Sequence, residues 1–244
     1  MFRGLRAVGR LAGALLQGLW GVVLVLVVFP RAARATRHGH VQRWSAGMLR
    51  RLGLQLQVEG QFKAGVKLVV ANHISWIDIL CVHAVCPQAR FVSKADVQSW
   101  PLVGRLVDAG DTLYIQRESR RDALRVVHQM ADALKAGDTV AVFPEGTTGE
   151  GTPLLPFHAN LLQAAIAVEA PIQPVALRYG DAQARFSPAA QWLGDTTLLG
   201  TLWKLAKAER LVAHVRVLSP LGTAHADRRS LAAHVRSQIE EALV

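Results

Sequence analysis

The chain has 244 residues, of which 51% are hydrophobic and 19% are charged, and its formal net charge is +10. This composition excludes a disordered or low-complexity chain, and the length is sufficient for one domain with a proper core. Nine of the 28 basic residues precede Glu59, where there is no acid, and the rest nearly balance the 18 acids. Because nucleic-acid modules spread basic charge over their folded domain, this confinement argues against a nucleic-acid partner.

The N-terminal segment is strongly apolar between its arginines. Residues 11–29, LAGALLQGLWGVVLVLVVF, include one polar side chain, that of Gln17. As a helix, this run is roughly long enough to cross the hydrocarbon core of a bilayer. It is longer than the apolar region of a usual signal peptide and no convincing cleavage site accompanies it, although a cleaved signal peptide stays open. The segment therefore predicts attachment to a membrane.

The topology of this attachment is left open by the sequence. Arginines flank the run on both sides, so the positive-inside rule does not orient a single span, and a helix that enters one leaflet and returns is the alternative. In residues 40–54, the apolar side chains of Val41, Trp44, Met48 and Leu52 recur at helical spacing among arginines. That stripe suits an interfacial helix on anionic lipid and equally an amphipathic core helix. We therefore divide the chain into an anchoring helical segment, 1–53, and a folded domain, 54–244.

The folded domain alternates between strand and helix patterns. Strands are predicted at 54–59, 68–71, 90–93, 112–115, 139–143, 172–177 and 213–218. Helices are predicted at 76–86, 101–108, 119–136, 158–169 and 228–242, and 180–210 is interpreted as a loop with a short helix. Ser119 and Gly137 are expected to cap the third of these helices. The alternation predicts an α/β fold with a mixed, largely parallel central sheet flanked by helices.

Polar clusters follow three of the predicted strands where each strand ends. They are Asn72-His73 with Asp78, Arg117, and Pro144-Glu145-Gly146-Thr147. Because the chemistry of an open α/β sheet gathers at strand ends, we expect the three clusters to form one site.

The pair of His73 and Asp78 has the composition of a general base with its orienting acid. Positions i and i+5 lie about 140° apart on a helix, so His73 must lie in the loop and Asp78 in the first turns of the next helix. Ser75 is placed to cap that helix. A carboxylate on one ring nitrogen leaves the other free to take a proton from a substrate hydroxyl. The structural alternative is a loop histidine followed by a capping acid.

The other two clusters suit the binding of an anion. The guanidinium of Arg117 is suited to bidentate contact with phosphate, and a turn at Gly146 lets backbone N–H groups approach one. Glu145 would accept from a substrate hydroxyl or orient the arginine. A surface arginine and a tight turn are the structural alternatives. The nine histidines show no metal-ligand spacing, so no metal is predicted, and the two cysteines are expected to be buried thiols.

Four sequence blocks, in order, resemble the glycerolipid acyltransferases. They are NHISWID, GDTLYIQR, FPEGT and APIQPVAL, and the segment FVSKADVQSWPLVG is similar to the family's sequence between the first two. The resemblance covers about residues 50–220, and the best-known members of the family are the 1-acylglycerol-3-phosphate O-acyltransferases. It identifies residues 54–244 as an acyltransferase catalytic domain.

The resemblance implies a reaction and a set of roles. His73, oriented by Asp78, would deprotonate the acceptor's hydroxyl, which would attack acyl-CoA or acyl-carrier protein directly, without an acyl-enzyme. The acceptor would be held by Arg117, Glu145, Gly146 and Thr147, and the further site candidates are Asn72, Ser75, Lys94 and Pro144. The expected product is phosphatidic acid from 1-acylglycerol-3-phosphate. No cofactor is expected beyond the acyl donor, the partners are membrane lipid and the donor, and the expected location is the cytoplasmic face of a bacterial inner membrane.

The chain departs from the family pattern after the third block. In residues 156–165, His158 replaces the usual lysine and Asn160 the usual glycine. The basic residue that commonly comes directly after the position of Thr147 is also missing. Fewer cations beside a phosphate favour another headgroup, as in the similar acyltransferases that acylate lyso-ornithine lipids. A non-catalytic lipid-binding protein on the same fold is a second alternative. The presence of His73, Asp78, Arg117 and Glu145 argues against it, because a decayed enzyme would lose such residues.

Overall fold

A computed structural model of the chain describes residues 2–116 and 120–244. The strands are β1 (Leu54–Glu59), β2 (Lys67–Ala71), β3 (Ala89–Lys94), β4 (Leu113–Ile115), β5 (Thr139–Val142), β6 (Ile172–Gly180) and β7 (Leu211–Val217). The α-helices are α1 (Phe2–Val23), α2 (Arg34–Leu52), α3 (Ile77–Val85), α4 (Val103–Asp108), α5 (Arg120–Lys135), α6 (Gln163–Ala167), α7 (Leu198–Lys207) and α8 (Arg228–Leu243). Leu24–Val28 continues α1 as a π-helical turn and Phe29–Arg31 as a 3₁₀ turn.

The strands form one seven-stranded sheet in the order β1-β7-β6-β2-β5-β3-β4. Neighbouring strands are parallel except for the pair β6 and β7, which is antiparallel. The predicted mixed, largely parallel α/β sheet is therefore confirmed. Because β2, β3, β4 and β5 run in the same direction, their carboxyl ends lie along one edge, where the first and third polar clusters begin.

Helices cover both faces of the sheet, and the central strands contribute side chains to two cores. In β2, Val69 and Ala71 belong to the core beneath α2, α3 and α7, whereas Leu68 and Val70 belong to the core beneath α5, α6 and α8. This follows from the two-residue period of a strand and explains why β2 and β5 are apolar throughout their length. Such strands give the clusters at their carboxyl ends rigid support.

Helix α2 belongs to the same core as the sheet. Met48 and Leu52 are buried in the core beneath α3, so the stripe at 41–52 is that of a core helix and not of a lipid-facing one. Helix α1 lies along α2, where Gln17 Nε2 donates to the Trp44 carbonyl at 3.2 Å and Trp44 Nε1 donates to the Gln17 carbonyl at 2.8 Å. Gly21 permits this approach, since a Cβ there would lie 2.4 Å from the indole nitrogen.

The outer face of α1 remains apolar and exposed. Its exposed large side chains are Leu5, Val8, Leu15, Leu16, Leu19, Trp20 and Val23. Within the described part of the chain, Gly4–Arg31 is the one helical stretch that is long and apolar enough to cross a membrane, and 22% of its apolar window is buried.

The structure differs from the prediction at residues 158–169 and confirms the short helix predicted within 180–210. Residues 158–169 form a 3₁₀ turn, Ala159–Leu162, followed by the short α6, and not one continuous helix. In the region 180–210, β6 continues to Gly180 and α7 begins after Thr197, whose hydroxyl accepts from the Gly200 N–H. Gly137, with φ of +90°, follows the end of α5 as expected, and the predicted cap Ser119 lies outside the described residues.

Candidate active site

The loop after β2 brings His73 onto Asp78. Asp78 lies in the first turn of α3, and its Oδ2 is 2.8 Å from His73 Nδ1. The backbone N–H groups of Ile74 and Ser75 donate to the same oxygen at 2.7 and 2.9 Å. Asp78 is fully buried, whereas the side chain of His73 is 16% exposed. The acid is thus held from the interior and the imidazole opens toward solvent.

Ser75 does not cap α3 through its side chain, so that prediction is wrong. Its hydroxyl is buried and forms no hydrogen bond with a described residue. The carboxylate of Asp78 instead accepts from the N–H groups of Ile74 and Ser75, which precede the helix, and a charged acceptor makes the stronger hydrogen bonds. Ser75 contributes its backbone, because its carbonyl accepts from the Asp78 N–H at 3.1 Å.

Tyr179 of β6 holds the second oxygen of Asp78. Its hydroxyl donates to Oδ1 at 2.5 Å and lies 3.5 Å from Cys81 Sγ, and the tyrosine is 2% exposed. Burial, and then the charge of Asp78, raise the pKa of Tyr179 well above its ordinary value, so the phenol stays a donor. The sequence interpretation missed Tyr179 because it ended the strand at 177. Continuing the alternation from Val175 and Leu177 would have placed it on the α3 side.

Aromatic side chains fix the plane of the catalytic candidate. The imidazole of His73 stacks on Phe143 with ring centroids 4.1 Å apart and an angle of 9° between the planes. Phe143 stacks in turn on Phe91 at 5.5 Å. With Nδ1–H donated to Asp78, the neutral imidazole has its lone pair on Nε2, which forms no hydrogen bond within residues 2–116 and 120–244. That nitrogen is available to a substrate hydroxyl.

Glu145 ties together the loops that surround His73. Its Oε1 accepts from the His73 N–H at 2.7 Å and its Oε2 from the Leu155 N–H at 2.9 Å. The His73 carbonyl accepts from the Gly149 N–H at 2.8 Å. Burial raises the pKa of Glu145, and the two backbone hydrogen bonds oppose that shift. Glu145 therefore joins the first and third clusters through backbone groups, and its expected contact with a substrate hydroxyl or the arginine stays a prediction.

The turn at Gly146 is covered by the side chain of His158. Gly146 has φ of +71°, and a Cβ there would lie 2.9 Å from His158 Cδ2. The His158 N–H donates to the carbonyl of Pro144, which is buried, and Thr147 is exposed at the turn. The residue that replaces the family's lysine thus packs directly on the turn of the third cluster.

The remaining candidates divide into three cases. Asn72 is buried and joins the end of β2 to β6, because its amide accepts from the Leu177 N–H at 2.7 Å and donates to the Leu177 carbonyl at 2.9 Å. Lys94 ends β3, and its exposed ammonium pairs with Asp96 at 2.5 Å. Arg117 lies outside the described residues, two positions after β4 ends at Ile115.

The two cysteines, Cys81 and Cys86, are free and buried, as expected. Burial raises the pKa of the Cys81 thiol to about 12 and that of Cys86 to about 11. Cys81 belongs to the hydrogen-bonded group around Asp78, and at neutral pH neither thiol is a nucleophile.

Comparison with known proteins places this geometry among acyltransferases. Residues 55–178 match the family described as Acyltransferase. The chain is 36% identical over 221 residues to the lyso-ornithine lipid O-acyltransferase of Pseudomonas aeruginosa, which covers 88% of this chain and 81% of that protein. It is 34% identical over 176 residues to the 1-acyl-sn-glycerol-3-phosphate acyltransferase of Neisseria meningitidis, which covers 72% of this chain and 67% of that protein.

A solved structure shares the fold. The crystal structure of PlsC, the 1-acyl-sn-glycerophosphate acyltransferase of Thermotoga maritima, matches 96% of both chains with a TM-score of 0.69 and 19% sequence identity. At this identity the likeness concerns the arrangement of helices and strands, including the apolar N-terminal helix.

Proposed function

The chain belongs to the Acyltransferase family, and from that premise we propose that it transfers a fatty acyl group from a thioester to the free hydroxyl of a lysolipid, with His73 as general base. The family resemblance noted in the sequence is confirmed, and the chain is an acyltransferase of the 1-acyl-sn-glycerol-3-phosphate acyltransferase type. The acceptor, the donor and the chemical steps are the proposal.

The observation that carries this proposal is the buried carboxylate of Asp78 held 2.8 Å from His73 Nδ1. Nε2 takes the proton of the acceptor hydroxyl as that oxygen attacks the thioester carbonyl. The tetrahedral intermediate then expels the thiolate, which receives the proton from the imidazolium, so the new ester and a free thiol result. Asp78 stabilises the imidazolium without being protonated itself. General-base catalysis of this kind contributes roughly 10²- to 10⁴-fold.

The loop of Glu145 and Gly146 holds the acceptor in this proposal, together with Arg117. Glu145 keeps the loop against His73 through the two backbone hydrogen bonds, so the headgroup is placed relative to the base. The headgroup would meet this turn beside the His158 side chain, which packs on Gly146. Arg117 would add a bidentate contact.

Two acceptors are the candidates. The first is 1-acylglycerol-3-phosphate, which Arg117 and the relative from Neisseria meningitidis support. The second is a lyso-ornithine lipid. It is supported by His158, which packs on Gly146 where the family's lysine is usual, and by the relative from Pseudomonas aeruginosa. The donor in either case is acyl-CoA or acyl-carrier protein.

A panel assay tests the reaction and the base together. The purified full-length protein is placed in vesicles with each lysolipid and each donor, and product is measured by mass spectrometry. His73→Ala should lose transfer by roughly 10²-fold or more while unfolding at the wild-type temperature. His234→Ala, at an exposed position of α8, is the matched histidine control and should retain full turnover. Full turnover in His73→Ala would refute the role of His73 as general base.

The headgroup is tested by restoring and removing charge. His158→Lys should lower KM for lysophosphatidate, because the lysine supplies the cation that this chain lacks beside the turn. Arg117→Ala should raise KM for lysophosphatidate if the residue holds phosphate. Turnover of lyso-ornithine lipid that is insensitive to both changes would identify the aminolipid as the acceptor.

The apolar N-terminal helix and the membrane lipids on which the named relatives act indicate association with a membrane. We place the catalytic domain on the cytoplasmic face of a bacterial inner membrane, where both proposed donors are made. A cysteine at the exposed Leu124 of α5 should resist a membrane-impermeant maleimide in intact spheroplasts and react after lysis. Reaction in intact spheroplasts would refute this location.

A further inference from the structure

Helix α7 carries an exposed stripe that changes in polarity along its length. Leu199, Trp203 and Lys207 follow one another at intervals of four, and Leu199 is 78% and Trp203 41% exposed. The ammonium of Lys207 lies 5.1 Å from the centre of the Trp203 ring. Thr201 and Leu205 are buried on the opposite side of the helix, and Leu205 belongs to the core beneath the sheet. The stripe is therefore the outer face of a firmly packed helix.

Helix α7 packs against α1. The guanidinium of Arg10 donates to the carbonyls of Ala206 and Ala208 at 3.1 and 2.7 Å, at the end of α7. Arg6 pairs with Glu209 at 3.0 Å. These contacts fix α7 beside the apolar N-terminal helix, and in the proposal below the bilayer that receives α1 extends to the stripe of α7.

The other end of α7 borders the candidate active site. Trp76 Nε1 donates to the hydroxyl of Thr201 at 3.1 Å, and Trp76 follows the residues that bind Asp78. The Trp192 N–H donates to the Ile74 carbonyl at 3.1 Å, so the segment leading into α7 also contacts the loop of His73. The helix thus connects the lipid-covered side of the molecule with the site.

We propose that α7 is a second membrane-contacting element, at which Leu199 enters the acyl region of one leaflet while Lys204 and Lys207 meet anionic headgroups. Tryptophan favours the level between these layers, and lysine extends its ammonium toward the headgroups. The stripe spans about 12 Å along the helix, which is comparable to the depth of that transition. The occupant of this surface is an anionic bilayer, which supplies the lysolipid across α7. The supply of lysolipid rests on the proposed function, whereas the membrane contact does not.

Depth measurements test the contact independently of activity. Single nitroxide labels are placed at Leu199→Cys, Lys207→Cys and Leu124→Cys of the full-length protein in vesicles that contain anionic lipid. Leu124 is the matched control, because it is apolar and 64% exposed on α5, beneath the other face of the sheet. The native thiols are buried, and wild-type protein treated with the same reagent gives the baseline.

The label at position 199 should be accessible to dissolved oxygen and protected from a water-soluble nickel chelate. The label at position 124 should be fully accessible to the nickel chelate, and the label at position 207 should show a nickel accessibility between those two. Equal nickel accessibility at 199 and 124 would overturn the proposal. So would strong dipolar broadening between labels at 199 on two chains, because a second copy of the protein would then be the occupant.

Turnover tests the supply of lysolipid. Leu199→Asp should raise the apparent KM for lysolipid presented in vesicles by about tenfold, in line with the loss of one buried leucine. It should leave turnover of a short-chain acceptor dissolved in buffer unchanged, and Leu124→Asp should change neither. If Leu199→Asp lost turnover equally on the vesicle-bound and the dissolved acceptor, the supply of lysolipid across α7 would be refuted. If the wild-type protein transferred no acyl group at all, the proposed function would be refuted, and the depth measurements would still decide whether α7 contacts the membrane.

Discussion

Replacing Tyr179 with phenylalanine removes the hydroxyl that contacts Asp78 and Cys81 and almost nothing else. The phenol donates to Asp78 Oδ1 at 2.5 Å in a fully buried position, and a phenylalanine ring occupies the same volume. The change leaves one oxygen of a buried carboxylate without a described partner, which costs about 2 kcal/mol. For a chain of this length we expect the melting temperature to fall by about 5 °C.

The chain contains its own control for this experiment. Tyr114, the second of its two tyrosines, donates to Asp108 Oδ1 at 2.6 Å, but Asp108 is exposed. Water replaces the lost donor in Tyr114→Phe, so that variant should melt within about 1 °C of wild type. Both variants are compared by differential scanning fluorimetry in one detergent.

Activity separates positioning from stability in Tyr179→Phe. Because Oδ2 keeps the N–H groups of Ile74 and Ser75, Asp78 should still reach His73, and we expect kcat to fall by about three- to tenfold with KM unchanged. Equal melting temperatures for Tyr179→Phe and Tyr114→Phe would refute the reasoning about the buried hydrogen bond.

Three further predictions follow from the same contacts. Asp78→Asn should lower kcat by roughly 10²- to 10⁴-fold with little change in KM, because the amide cannot stabilise the imidazolium; a loss confined to KM would contradict the role of Asp78. Gly146→Ala and Gly65→Ala both place a Cβ on a backbone with positive φ, which costs about 1–2 kcal/mol. A Cβ at 146 collides with His158 whereas one at 65 meets open space, so the KM for the acceptor should rise in Gly146→Ala only. An equal rise in both variants would contradict the role of the Gly146 turn in binding the acceptor. Burial lowers the pKa of His83 to about 4, from 6.5 in the unfolded chain, so the unfolded state binds more protons between these two pH values. As pH falls from about 6.5 to about 4, wild type should therefore lose about 3 kcal/mol of unfolding free energy relative to His83→Gln. Parallel curves of unfolding free energy against pH for the two proteins would refute this.

What the sequence could predict was the part of the site that is local in the chain. His73 and Asp78 are five residues apart, and the geometry of a loop followed by a helix determines whether they meet. Tyr179 is 101 residues from Asp78, and its role depends on where β6 ends, which the letters Arg-Tyr-Gly did not reveal. Ser75 was assigned a cap from its residue type, but its buried hydroxyl forms no hydrogen bond with a described residue, and the loop before α3 is held by the carboxylate of Asp78.

The N-terminal helices show a second limit. An interfacial helix and an amphipathic core helix have the same periodicity, so the stripe at 41–52 could not distinguish them. The contacts of Met48 and Leu52 with the core under the sheet do. The sequence predicted a short helix within 180–210 but not its bounds, because α7 is only ten residues long and follows a segment without periodicity.

Because α2 packs in the core beneath the sheet, the apolar N-terminal helix α1 and the domain that carries His73 should fold as one cooperative unit. Helix α1 is locked onto α2 by Gln17 and Trp44, and α2 runs directly into β1, so no flexible tether separates the apolar helix from His73. Proteolytic shedding would expose the core and would not release a working soluble enzyme. The free energy of inserting α1 into a bilayer therefore adds to the unfolding free energy of the whole domain. The melting temperature of the enzyme should then depend on lipid composition.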